Sequence, residues 1–94
     1  MHRVIVEVRI HSDREEEARQ ALREEVVPRA KALPGFAGGT WLRALEGDAG
    51  ISVLLFESED AAHGAAAAIR SQGPPPGAPV TLKAVHAYEV LARA

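Results

Sequence analysis

The sequence contains no cysteine, which excludes disulfides, thiolate nucleophiles and thiolate-held metals together. Aromatic residues are scarce, 4% of the chain with a single tryptophan, too few to build a stacking platform for single-stranded RNA. Basic charge is not in surplus either. Eleven Lys and Arg are set against 13 Asp and Glu, a formal charge of −2, so the long-range attraction that nucleic acid requires is missing. No apolar run is long enough for a membrane span, and the early run MHRVIVEVRI is interrupted by charges. Neither a signal peptide nor an anchor is expected, and the expected location is the cytoplasm.

What is present suits a folded domain. Apolar residues make up 47% and charged residues 26% of 94 positions, a globular balance with no composition break, so residues 1–94 are expected to form one domain. A chain of this length buries only about 60 to 65% of the surface its unfolded form exposes. Association with a partner is therefore favoured from the start.

From Arg3 to Ile10 the residues alternate, with Val4, Val6, Val8 and Ile10 on one side, which predicts a first strand. Ser12 and Glu15 have capping-box spacing, and the acidic residues Asp13 to Glu17 suit the positive end of a helix dipole. The first helix then carries an inward stripe of Ala18, Ala21, Leu22, Val26, Ala30 and Leu33. Pro28 lies within it, removing one backbone donor and crowding the Glu24 carbonyl, so a kink or loosening is expected there. Pro34 and Gly35 end it.

A second strand, Phe36 to Leu45, is expected to bulge at Gly38 and Gly39, and the turn chemistry of Glu46 to Gly50 joins it to a third strand, Ile51 to Phe56. Ser58 caps a second helix, Ala61 to Arg70, whose inward side of Ala62, Ala65, Ala66 and Ile69 is thin. That helix either packs very close to the sheet or borders a cavity. After the proline-rich loop Gly73 to Pro79, strict alternation in a fourth strand places Val80, Leu82, Ala84, His86 and Tyr88 on one face.

The order is βαββαβ, a ferredoxin-like α+β fold with a four-stranded antiparallel sheet and two helices on one face. The third strand is apolar on both sides, so the open face also wants cover, and a second copy of the chain is the simplest one.

VIVEVRI, VVPRAKALPGF, the hairpin into ISVLLFESEDA and the closing YEVLA resemble the antibiotic biosynthesis monooxygenase-like family of dimeric α+β barrels. The resemblance implies a homodimer that closes two sheets into a barrel, with a pocket in each subunit between sheet and helices. Some members oxygenate aromatic polyketides with no metal or flavin. Others degrade haem and pair a tryptophan with a histidine around the second helix, whereas ESEDAAHGAAAAI offers His63 without a nearby tryptophan.

The function expected is cofactor-independent oxygenation of a small, largely apolar, aromatic substrate. The alternative is a non-catalytic ligand-binding or structural dimer. No metal, haem or flavin is expected, since there is no thiolate set, phosphate-binding glycine loop or paired-histidine motif. His63 or His86 would be the base. Trp41 and Tyr88 would shape the pocket, and Ala66 would mark it under the second helix. Each has a plainer reading: Trp41 as core, His63 as a solvated partner of Glu59 or Arg70, and His86 with Tyr88 as hydrogen-bonded or rim residues. Arg43 could meet an acidic ligand or simply sit on a hairpin strand.

Overall fold

The computed structural model describes residues Met1–Ala94. Four strands, β1 (His2–Ile10), β2 (Phe36–Arg43), β3 (Ala49–Phe56) and β4 (Val80–Glu89), form one antiparallel sheet in the order β2-β3-β1-β4. The two helical crossovers make this the ferredoxin-like α+β fold expected from the sequence.

The second crossover is α3 (Glu59–Gln72). Its start is set as expected, with the Ser58 hydroxyl accepting from the Ala61 N–H at 3.1 Å. Ala62, Ala65 and Ala66 recur at three- and four-residue spacing and are all but fully buried, in one core with Val4, Val6, Leu54, Phe56 and Val85. Small side chains let the helix backbone come down onto the sheet. Arg70 fastens its far end by donating from Nη2 to the Val85 carbonyl at 2.7 Å. Gly35 in the turn before β2 has φ +75°, and a Cβ there would lie 2.6 Å from the Ala61 Cβ. That contact needs glycine twice over, for its backbone and for its size.

The first crossover is built differently. A 3-10 turn over Ser12–Arg14 leads into α1 (Glu15–Ala21), a π-helical turn over Leu22–Val26, and α2 (Val27–Lys31). Ser12 makes no cap; His11 holds that position without capping the turn, its Nε2 lying 2.9 Å from Thr81 Oγ1 instead. The loosening expected at Pro28 falls just upstream of it. The Val27 N–H reaches the Leu22 carbonyl, a π-type step that widens the helix before the residue that has no N–H to give. Of the expected inward stripe only Ala30 is buried. The rod rests on the sheet chiefly through α2 against β2, and no residue of α1 or the π turn is buried.

Two bulges adjust the strands. One lies between Phe36 and Gly38, where the glycines suggested it. The other, between Glu7 and Val8 on β1, leaves Lys83 of β4 without a partner and corrects the face assignment for that strand. Leu82 pairs with Val8 on the helix side, but His86 pairs with Ile5 and Tyr88 with Arg3, which puts both on the open face. A bulge adds one residue, and with a period of two that inverts every side chain beyond it.

Candidate functional site

Because the first helix stands off the sheet while the alanine face of α3 does not, space is left beneath the first helix. A cavity of about 950 Å³ lies between the helical face of the sheet, the inward stripe of α1 and the π turn, the last turns of α3 at Ala68, Ile69 and Gln72, and the loop before β4. That is within the size range of about 300 to 1,000 Å³ typical of small-molecule sites. Val6, Val8 and Leu54 form its floor, Ala18, Leu22 and Val26 its roof, and Pro74 to Pro79 one side. The apolar stripe of the first helix is real, but what it faces is a cavity.

Trp41 is the aromatic wall. It pairs with Ser52 across β2 and β3 and projects on the helical side. Its indole lies back over Gly39: a Cβ at that position would meet Trp41 Cη2 at 2.8 Å and Leu54 Cδ2 at 3.2 Å. Glycine at 39 is therefore what lets the ring lie along its own strand.

Two polar ties hold the entrance of the first helix. Arg14 donates from Nη1 to the Ala78 carbonyl at 3.2 Å and from Nε to Glu17 Oε1 at 3.0 Å. That hydrogen bond, ahead of simple charge attraction, holds the Glu17 carboxyl below the usual carboxylate range, and it raises Arg14 in return. On the opposite side Arg43 at the end of β2 forms an ion pair with Glu15, which also accepts from Arg19 at 3.4 Å.

The sequence candidates are dispersed. Trp41 lines the cavity. Ala66 is 2% exposed and packs in the core beneath α3, outside the cavity lining. His63 is solvent-exposed on α3 with Nε2 3.5 Å from Glu59 Oε1. His86 and Tyr88 stand together on the open sheet face, their rings edge to face at a centroid separation of 6.3 Å. No histidine, tyrosine or methionine is among the cavity-lining residues, and the chain has no cysteine. The iron of a porphyrin placed there would meet no axial side-chain ligand of the common kinds, so the residues present do not fit haem. Sequence reasoning missed the helical wall of the cavity and the Glu15–Arg43 tie. The available signals were the small residues Ala18 and Ala21 next to a proline-disturbed helix.

Residues 1–70 match the antibiotic biosynthesis monooxygenase family. No curated protein matches the sequence. Solved structures share the fold at low identity. An MhuD variant crystallised with two manganese protoporphyrin IX molecules per active site has a TM-score of 0.71 and 21% identity, with 100% of this chain and 98% of that one covered. HapK from Hahella chejuensis has a TM-score of 0.65 and 13% identity, over 100% and 96%. The ActVA-Orf6 monooxygenase of Streptomyces coelicolor, in complex with nanaomycin D, has a TM-score of 0.62 and 15% identity, over 99% and 89%. With three quarters of its length matched by the family and all four strands and both crossovers in place, the chain belongs to the antibiotic biosynthesis monooxygenase family.

Proposed function

We propose that this chain binds a small, largely apolar aromatic molecule in the cavity beneath its first helix and oxygenates it without a resident metal or flavin. The observation that carries the reading is the cavity of about 950 Å³ walled by Trp41 and aliphatic side chains. An aromatic ligand there exchanges water for apolar contact on both faces of its ring. A fold relative that holds nanaomycin D supports the ligand class.

In such a reaction an electron-rich substrate supplies all the electrons. For a methylene group between two rings, one oxygen atom of O₂ replaces its two hydrogens and the other leaves as water. The protein's task is to hold the substrate dry and accept a proton. His63 and His86 remain the proposed bases. Neither reaches the cavity within one chain, and His86 sits on the sheet face that a second copy would cover.

The same proposal includes a homodimer. Ile5, Leu42, Ile51, Val53, Leu55 and Tyr88 lie on the open face, and Leu42 and Tyr88 remain about half exposed. A second copy would cover them. Light scattering should give twice the chain mass.

Oxygen uptake with anthrone-type polycyclic phenols, followed by mass spectrometry of the product, tests the enzyme reading. Uptake above the protein-free rate with one oxygen incorporated supports it. Tight binding with no uptake would support the alternative, a non-catalytic ligand-binding dimer, which is favoured by the absence of histidine from the cavity lining.

A further inference from the structure

We infer that Arg43 is the specificity residue of the cavity, that it selects aromatic ligands bearing a carboxylate, and that Glu15 occupies it when the cavity is empty. The inference rests on the proposed use of the cavity for aromatic ligands and adds the charge such a ligand must carry.

Arg43 is the one cation that the sheet contributes to the cavity wall; the others, Arg19 and Arg29, come from the first helix. Trp41 lies two residues earlier on the same strand face, about 7 Å away along β2. A fused-ring acid can therefore set its rings against the indole and its carboxylate against the guanidinium. The fork of an arginine matches a carboxylate with two parallel hydrogen bonds, a geometry that an amide or alcohol cannot return.

At present that fork is turned to Glu15, which lines the same cavity and is shared with Arg19. The Arg43 and Glu15 side chains are 45% and 39% exposed, so the pair is partly solvated and correspondingly weak. Glu15 thus behaves as an internal competitor. A ligand carboxylate that arrives with an apolar ring brings buried area that Glu15 cannot supply. It takes over Arg43, while Glu15 keeps Arg19.

The test is calorimetric titration of 2-naphthoate and its uncharged isostere 2-naphthamide into the wild-type protein, R43M and E15Q. Wild type should prefer the acid. R43M should weaken the acid by up to about fivefold, the scale of losing one partly exposed charge pair, while leaving the amide unchanged. E15Q should tighten the acid and not the amide. Arg43 is exposed and Glu15 half-buried, and circular dichroism will show that both variants fold. If acid and amide bind equally to all three proteins, the role of Arg43 falls and the cavity reading stands. If neither binds wild type up to its solubility limit, the cavity reading falls and this inference falls with it.

Discussion

The two helical crossovers of this domain follow the same amphipathic rule and end in opposite places. In α3 the inward residues Ala62, Ala65 and Ala66 are packed into the core and the helix lies down on β1, β3 and β4, so that only its last turns border the cavity. In the first helix the inward residues include Leu22 and Val26, yet Val26 remains 41% exposed because the rod is propped away from the sheet. What holds it off is local. A π turn precedes Pro28, the rod rests on the sheet chiefly through α2 on β2, and the two ends of the entrance are pinned by Arg14 to Ala78 and by Arg43 to Glu15. The smaller side chains give the tighter interface, and the larger ones line a space.

The comparison breaks if the two sides respond alike to added volume. Ala66→Leu should destabilise the fold by about 1 to 3 kcal/mol, because the inserted methylenes have nowhere to go, whereas Ala18→Leu on the cavity side should stay within about 0.5 kcal/mol of wild type. Urea denaturation followed by circular dichroism measures both. Equal losses would mean that the first helix is packed as tightly as α3.

A subtler effect is expected at the aromatic wall. Gly39→Ala places a Cβ 2.8 Å from the present position of Trp41 Cη2, so the indole must swing into the cavity. Ligand affinity should fall and tryptophan emission should move, with little loss of stability. Unchanged emission would show that the ring does not lie over Gly39.

The histidines sharpen the contrast further. His63→Ala and His86→Ala should each leave binding of 2-naphthamide unchanged by calorimetry, since neither residue lines the cavity. If either abolishes oxygen uptake while sparing binding, that residue belongs to the reaction.

The smallest effect concerns the entrance. Glu17 is held below its usual range by the Arg14 hydrogen bond. A carboxyl whose folded pKa is depressed adds stability above its unfolded pKa and loses it as pH falls through the lowered folded value. The pair is solvent-facing, so the change in stability should be slight. Carbon-detected NMR titration of Glu17 should nonetheless find it titrating at more acid pH in wild type than in Arg14→Gln, and coincident curves would remove the tie.

The sequence signals for these regions differed in kind. Strand order, the Ser58 cap and the alanine face of α3 were readable, because caps and periodicity are local and the sheet topology follows from connection rules. The cavity was not. An apolar stripe states which way a helix faces and says nothing about its distance from what it faces, so Ala18, Leu22 and Val26 read as core. The same ambiguity left Ala66 suited to either a pocket or a contact. His86 and Tyr88 were read on the face of Leu82 because alternation is blind to a bulge, and the added residue at Lys83 carries no glycine or proline to announce it.

Backbone and indole NMR shifts on titration with 2-naphthoate test most directly whether the ligand site lies under the first helix. The account predicts changes at Ala18, Leu22 and Val26 and at the Trp41 indole N–H, with Ala62, Ala65 and Ala66 undisturbed. Shifts gathered on Ala62, Ala65 and Ala66, or on Ile5, His86 and Tyr88 of the open face, would contradict it.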